Sequence, residues 1–298
     1  MPISRFRQLG KKVGRRLTVY RAMLATSALS RRFERTNHWL DAPLVVSLTS
    51  YPPRFPTLLR TLRSLLNQTV RPDRTILWIA DEDLPALPEE VRSLETNGLE
   101  IRSCSNLGPF KKLVPALQAF PDAYIVTADD DLYYSPGWLR TLVEEASAWP
   151  GSIVAHRAHL AKRGEDGRFQ PYSEWQQETR IPADLCSRNM IFPTGGAGTI
   201  YPPNSLDPRV TDSSLFMQFC PRADDVWFFW MAEFAGTPQR LTARGHPLVT
   251  WRGSQDVALY HSNMHDHQND VQIANLQDYF GTLPMPEQEE RTPARVAS

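Results

Sequence analysis

Three consecutive aspartates, Asp129, Asp130 and Asp131, directly follow an apolar run that ends at Ala128. Like charges this close repel one another and need a counterion. If the chain stays extended, its period of two places Asp129 and Asp131 on one face and Asp130 on the other. Two converging carboxylates suit Mg²⁺ or Mn²⁺, which neutralises diphosphate oxygens. The alternative is a solvated acidic turn that caps the next helix, but the position at a strand end favours a metal site.

A second acidic pair, Asp224-Asp225, precedes the run Val226 to Met231. This run is apolar on nearly all sides, which predicts a buried helix. An acid in the first turn of a helix is explained by capping and by the helix dipole. That explanation accounts for one acid and leaves the other available for chemistry.

The elements that must position these acids begin at Leu44, where short β-rich runs alternate with helical spacing. The predicted strands are 44–49, 75–80, 99–103 and 123–128, and the predicted helices are 88–96, 110–120 and 136–148. Four such alternations predict an α/β fold with a mostly parallel sheet and helices on both faces. Ligands of such sheets bind beyond the carboxyl ends of the strands, which is where Asp129 to Asp131 lie.

Three further stretches offer ligand contacts, each with a plainer alternative. Thr49 ends the first strand and Tyr51 follows it, where Tyr51 is placed to stack on a base unless the next two prolines fix it in the core. Lys112 belongs to a predicted helix start that suits phosphate or sugar oxygens, or else it is solvated surface. Gly195 and Gly196 allow close backbone approach to a ligand, or else form a simple turn.

Composition excludes some classes of protein. The 298 residues carry 33 basic and 33 acidic side chains, so bulk charge does not indicate a nucleic-acid partner. Three cysteines without metal-type spacing favour a cytoplasmic protein over a disulfide scaffold. No run approaches the roughly 20 apolar residues of a membrane-spanning helix.

The N-terminus departs from this even balance, because its first 35 residues carry ten cations and a single acid, Glu34. Apolar residues recur there at steps of three and four: Ile3, Phe6, Leu9, Val13, Leu17, Tyr20 and Leu24. This pattern predicts a basic amphipathic helix, with residues 1–30 able to contact the inner face of the cytoplasmic membrane. The alternative is an extension packed on its own domain. We therefore divide the chain into an extension (1–40), a catalytic domain (41–280) and a disordered tail (281–298).

The stretches Val45 to Tyr51, Ala80 to Asp83, Ala128 to Asp131, Gly195 to Gly198 and Ala223 to Trp227 follow one another in a characteristic order. In these pieces the chain resembles bacterial glycosyltransferases of the GT-A type related to family 2, over about Leu44 to Leu276. The resemblance implies a Rossmann-like single domain behind the basic N-terminal helix.

The resemblance adds site roles to those argued from the residues. It implies that the nucleoside is held by Thr49, Tyr51, Arg54 and Asp81, and that a third metal ligand is His261, with His265 and His267 as competitors. The residues themselves assign Asp129 and Asp131 to the metal ion, and the donor site to Lys112, Asp130, Gly195 and Gly196. The resemblance also implies that Asp225 is the base that deprotonates the acceptor, with Asp224 beside it. The family usually has Glu at the first place, so Asp224 is a shorter substitute.

The expected reaction is a metal-dependent single displacement from a nucleotide-diphosphate sugar, by resemblance a UDP-sugar, with inversion of the anomeric centre. The expected acceptor is a glycan or glycolipid hydroxyl in surface-polysaccharide synthesis. One alternative is a nucleotidyltransferase acting on sugar phosphates, although residues 47–53 lack the glycines that a triphosphate loop needs. Another is a non-catalytic sugar-binding protein.

Overall fold

The structure, a computed structural model, describes residues 18–27, 34–180, 190–254 and 268–283. Three predictions fall outside these ranges in whole or in part. They are the metal ligand His261 with its competitors His265 and His267, residues 1–17 and 28–33 of the N-terminal extension, and the tail beyond residue 283. Packing continues up to that last point, because Leu283 is buried and its carbonyl oxygen accepts a hydrogen bond from Arg163.

A seven-stranded sheet forms the centre of the molecule, with strand order β12-β8-β11-β6-β2-β4-β5. The thirteen strands of the described residues are β1 (Thr36–Asn37), β2 (Leu44–Thr49), β3 (Val70–Arg71), β4 (Arg74–Ala80), β5 (Leu99–Cys104), β6 (Tyr124–Ala128), β7 (Leu132–Tyr133), β8 (Ile153–Ala155), β9 (Ala158–Ala161), β10 (Met190–Pro193), β11 (Thr199–Tyr201), β12 (Gln239–Leu241) and β13 (Val249–Thr250). The pairs β1-β3, β9-β10 and β7-β13 form small separate sheets.

The helices cover both faces of the large sheet. They are α1 (described over 18–25), α2 (Phe55–Leu66), α3 (Glu89–Arg92), α4 (Val114–Ala119), α5 (Trp138–Ala148), α6 (Ser213–Phe219), α7 (Asp224–Phe234) and α8 (Gln268–Phe280). Short 3₁₀ turns join them at Pro52–Arg54, Leu84–Ala86, Ser93–Asn97, Gly108–Lys112, Tyr172–Glu174, Gly195–Ala197 and Pro208–Thr211. Every helix in the described part of the chain is too short or too polar to span a bilayer.

The four predicted strands are confirmed as β2, β4, β5 and β6, and these pair in parallel. Strand β11 interrupts this pattern because it runs antiparallel to both β6 and β8. The expected mostly parallel, GT-A-type architecture is therefore confirmed, and the antiparallel strand brings the chain before Thr199 to the carboxyl end of β6.

Side chains of the central strands alternate between two cores, as strands buried on both faces require. Along β2, Val46 and Leu48 pack against α2 and α5, whereas Val45 packs on the opposite face with Phe110 and α7. Helix α7 is buried around most of its circumference, as its composition predicts. This burial fixes the start of α7, and hence its two acids, against the sheet.

Candidate active site

Register brings three chain segments together at the carboxyl end of β6. Leu48 of β2 lies opposite Ala128, so the residues after Thr49 lie beside the acids. Thr199 of β11 lies opposite Thr127. The turn Gly195–Ala197 that precedes β11, which we call the glycine turn, therefore reaches the same place from the other side. Sheet topology alone therefore gathers the acids, the end of β2 and the glycine turn.

The acids form a turn rather than an extended segment. Strand β6 ends at Ala128, and residues 130 and 131 are in a turn. The expectation that extended geometry sorts these side chains onto two faces is therefore wrong, because hydrogen bonding with the neighbouring strands stops before the acids. We call Asp129 to Asp131 the acid turn.

Each carboxylate of the acid turn has its own partner. Asp129 Oδ1 lies 3.1 Å from Lys112 Nζ. Asp130 Oδ2 accepts a 2.5 Å hydrogen bond from the Ser50 hydroxyl. Asp131 Oδ2 lies 2.6 Å from Arg54 Nη1. The side chain of Asp129 is 37% exposed against 13% for Asp131, so Asp129 is the more accessible of the two predicted metal ligands.

Burial sets the charge balance around Asp130. It raises the pKa of this carboxyl group to about 7, although Arg54 and the Ser50 hydroxyl act in the opposite direction. Burial alone would lower the pKa of Arg54, but Asp130 and Asp131 outweigh it and raise that pKa. Arg54 therefore supplies a permanent positive charge to this side of the acid turn.

Lys112 connects the acid turn to the second acidic pair. Its ammonium group lies 3.1 Å from Asp129 and 2.9 Å from Asp224 Oδ2. The side chain is buried, and its backbone carbonyl accepts a 2.6 Å hydrogen bond from Ser47 of β2. Burial would lower the pKa of Lys112, but the carboxylates of Asp129, Asp224 and Asp225 raise it well above the ordinary value. Lys112 is therefore a structural counterion as well as a candidate for diphosphate contact.

Asp225 differs from its neighbour because its one hydrogen-bond donor in the structure is a neutral amide. Its Oδ1 accepts a 3.1 Å bond from the backbone N–H of Gly195. Burial, and after it the charge of Asp224, raise the pKa of Asp225 to about 7, while Lys112 acts to lower it. A carboxylate with this pKa can accept a proton near neutral pH.

The glycine turn lies against both groups of acids. A Cβ at Gly196 would collide with Asp129 Oδ2, and one at Gly195 would lie 3.0 Å from Asp225 Oδ1. Side chains at these positions would displace the carboxylates, so the predicted need for close backbone approach has a specific cause here. These contacts are to the protein's own acids.

Two aromatic residues that the sequence did not single out hold the glycine turn. The Tyr134 hydroxyl donates to Gly196 O over 2.8 Å and accepts from the Asp129 amide over 2.7 Å. The Trp138 indole N–H donates to Ala197 O over 2.7 Å. Both side chains are buried. Their position within ten residues of the acids is the one signal that the sequence offered.

The predicted nucleoside residues lie along the same sheet edge. Thr49 ends β2, and its hydroxyl donates to Trp78 O over 2.8 Å, so that hydroxyl already has a partner within the sheet. Tyr51 is partly exposed, which disfavours the alternative of a core tyrosine. Asp81 follows β4 and is exposed, and its amide donates to Cys104 O. The side chains of Tyr51 and Asp81 are thus accessible from the edge where the acid turn lies.

The carboxylates of the acid turn are candidate ligands for a divalent metal ion. No group of three metal-binding side chains occurs among the described residues, a range that excludes His261. Mg²⁺ is commonly held by one or two carboxylates, with water and substrate phosphates completing its shell. Asp129 fits this mode because it is accessible. Asp131 fits it chemically, but it also serves Arg54.

A sequence profile described as glycosyl transferase family 2 matches residues 51–204, just over half of the chain. The chain belongs to glycosyl transferase family 2. Members of this family are glycosyltransferases, and divalent metals are common among them. The match includes the acid turn, Lys112 and the glycine turn, but it ends before Asp224 and Asp225.

Two similar solved structures come from Staphylococcus aureus TarS, and no curated protein sequence matches the chain. TarS 1–349 in complex with UDP is 14% identical with a TM-score of 0.41, covering 68% of this chain and 59% of its own. This chain therefore spans about three-fifths of that structure. TarS 1–349 without a named ligand is 14% identical with a TM-score of 0.43, covering 80% of this chain and 72% of its own. A 4-diphosphocytidyl-2C-methyl-D-erythritol synthase is 14% identical with a TM-score of 0.43, covering 79% of this chain and all of its own. Similarity at this level adds nothing to the family match.

Proposed function

We propose that this family 2 enzyme transfers a sugar from a UDP-sugar to an acceptor hydroxyl, with inversion and with the help of Mn²⁺ or Mg²⁺. The observation that carries the proposal is the position of Lys112, which lies about 3 Å from both Asp129 and Asp224. This contact brings the residues expected at the donor diphosphate next to the pair expected at the acceptor. A displacement at one carbon atom requires that proximity.

In the proposed mechanism Asp225 accepts the proton of the acceptor hydroxyl as that oxygen attacks the anomeric carbon. Its raised pKa suits this role, and the Gly195 amide orients the carboxylate. Asp224, paired with Lys112, lies beside it. Tyr134 and Trp138 hold the glycine turn and thereby the positions of Asp225 and Asp129.

Donor binding is assigned to the edge formed by the ends of β2, β4 and β6. Tyr51, Arg54 and Asp81 are assigned to contacts with the nucleoside, and Thr49 to the shape of the strand end. The diphosphate and the sugar are assigned to Lys112, Asp130, Gly195 and Gly196. Asp129 and Asp131 would hold the metal ion. When bound, the ion neutralises charge on the departing diphosphate. The acceptor is proposed to be a glycan or glycolipid of surface-polysaccharide synthesis, used by a catalytic domain of residues 41–280 at the inner membrane face.

Thermal shift with nucleotide sugars tests donor choice and metal dependence together. A ligand that binds only the folded chain at about 100 times its Kd stabilises it by about 2.7 kcal/mol. We expect a UDP-sugar with Mn²⁺ to raise the melting temperature more than either alone, and Asp129→Asn to remove the added effect of Mn²⁺. Asp122→Asn, at an exposed position outside the site, is the matched control.

Product analysis separates the alternatives. Metal-dependent release of UDP supports sugar transfer. Release of pyrophosphate from UTP and a sugar 1-phosphate would establish the nucleotidyltransferase instead. A chain that binds nucleotide sugars, releases no nucleotide and is unaffected by Asp225→Asn would be a sugar-binding protein.

A further inference from the structure

Helix α1 is anchored to the catalytic domain by one of its faces. Ala22 is buried, and with Val19 it packs against Tyr133, Val249 and Trp251. At the end of the helix, Arg63 Nη1 donates to the carbonyl oxygens of Thr26 and Ser27 over 3.2 and 3.1 Å. These contacts fix the orientation of α1 and decide which of its side chains face outward.

The outward side carries a second apolar strip. Tyr20, Met23 and Leu24 are 60%, 37% and 51% exposed. Positions 20, 23 and 24 are neighbours on a helix surface, since residues three and four apart adjoin. We call these three residues the outer face of α1. The exposed Arg21 lies between them in sequence.

The outer face continues the apolar pattern of the preceding sequence. Tyr20 and Leu24 are the last two members of the stripe that begins at Ile3, whereas the anchoring residues Val19 and Ala22 do not belong to it. At its described end, therefore, the stripe is directed away from the domain. Tyr20 and Leu24 therefore take no part in the contacts that anchor the described part of α1 to the domain.

Charge identifies the occupant of this surface. Ten cations accompany the stripe within the first 35 residues, against one acid. Apolar side chains flanked by Lys and Arg bind anionic lipid surfaces, where each cation adds to the attraction. A second copy of the chain is a poor fit, because three partly exposed side chains present far less than the roughly 800 Å² per partner of a stable interface. We propose that the outer face of α1 binds the surface of an anionic lipid bilayer.

Hydrogen bonds connect this surface to the active site. Trp251, which packs under α1, donates its backbone N–H to Asp131 O over 3.2 Å. Its indole N–H donates to the Thr61 hydroxyl, which in turn donates to Asp130 O over 2.9 Å. Lipid binding through α1 therefore places the acid turn at a fixed position relative to the bilayer, which suits an acceptor carried by lipid.

Vesicle co-sedimentation of the full chain tests the proposal without a nucleotide sugar, so its outcome is independent of the proposed sugar transfer. The probes are phosphatidylcholine vesicles with and without about 30% phosphatidylglycerol. We expect binding to the anionic vesicles only. The double variant Tyr20→Ser, Leu24→Ser is expected to lower the partition coefficient about tenfold. Raising the salt concentration from about 0.05 to about 0.5 M is expected to weaken binding as well.

The matched control replaces two equally exposed apolar residues elsewhere, Met217→Ser and Val271→Ser, at 45% and 49% exposure. Its vesicle binding should equal that of the parent chain, and both double variants should melt at the parent's temperature because no core contact is lost. Equal binding to neutral vesicles, or undiminished binding of the Tyr20, Leu24 variant, would overturn the proposal. If the parent chain formed a dimer and the Tyr20, Leu24 variant were monomeric, the surface would bind a second copy of the chain instead.

Discussion

The acid turn after β6 and the acidic pair at the start of α7 both place like charges side by side, but their charges are compensated differently. In the acid turn, three carboxylates have three separate partners: Lys112, the Ser50 hydroxyl and Arg54. At the start of α7, two carboxylates depend on one cation, Lys112, which they share with Asp129. One group has a cation or hydroxyl for each acid, and the other does not.

This difference separates the roles of the two groups. Asp130 and Asp131 have donors that the other group does not share, Ser50 and Arg54, which fix these side chains in position and suit them to organising charge around a ligand. Where the cation favours Asp224, the neighbouring Asp225 is left with an amide donor and a raised pKa. Because Lys112 contacts Asp224, Asp224 is its ion-pair partner and Asp225 is the proton acceptor.

The largest effect is expected from removing the proton acceptor. Asp225→Asn keeps the size of the side chain but cannot take a proton, so kcat should fall about 1,000-fold. Asp224→Asn should cost less, because it removes a neighbouring charge rather than the base. Steady-state kinetics with UDP release as readout measure both. Asp122→Asn should leave kcat unchanged, and equal losses for the two members of the pair would refute the division of roles.

The next effect concerns the shared cation. Lys112→Met leaves buried carboxylates without their counterion and should lower the free energy of unfolding by about 3 kcal/mol. Adding Asp224→Asn removes one of those carboxylates, so the double variant should recover part of the loss. Urea denaturation of both variants at pH 8 measures this coupling. Strictly additive losses would mean that Lys112 and Asp224 act independently.

The positions of both groups of acids were predictable from the sequence, but the residues that contact them were not. The apolar run before Asp129 and the apolar helix after Asp225 predicted both positions, because burial patterns are local. The partners were harder to predict. Ser50 and Arg54 reach the acid turn only because β2 and β6 pair in a particular register, and Lys112 meets Asp224 across more than 100 residues of sequence.

The error about the acid turn has the same origin. Period-two alternation holds only while a strand has neighbours, and β6 loses its pairing after Ala128. Tyr134 and Trp138 were missed because a buried aromatic residue looks the same in sequence whether its polar atom is used or not. Their role depends on carbonyl oxygens of the glycine turn, which β11 brings back antiparallel to β6.

A smaller effect should appear in the pH profile. Burial, followed by the charge of Asp224, raises the pKa of Asp225 to about 7, and the base works only when deprotonated. kcat/KM should therefore fall about tenfold between pH 8 and pH 6 and level off above pH 8. The residual activity of Asp225→Asn should lack this dependence. A limb near pH 4 would show that burial and the charge of Asp224 do not raise the pKa of Asp225.

The smallest effect is on stability and has the opposite sign to the effect on activity. The folded-state pKa of Asp225 is raised above its ordinary value of 3.8. Between those two values the folded chain binds a proton that the unfolded chain has lost, so this carboxyl group makes stability fall as pH rises from about 4 to about 7. Asn at this position carries no such cost. Asp225→Asn should therefore match the parent at pH 4 and be more stable at pH 8, by on the order of 1 kcal/mol, which is about 2–4 °C in Tm for a chain of this size.

Thermal melts at both pH values measure the difference, and Asp122→Asn should show none. If Asp225→Asn were less stable than the parent at pH 8, Lys112 would have to stabilise both acids of the pair, and the contrast with the acid turn would disappear.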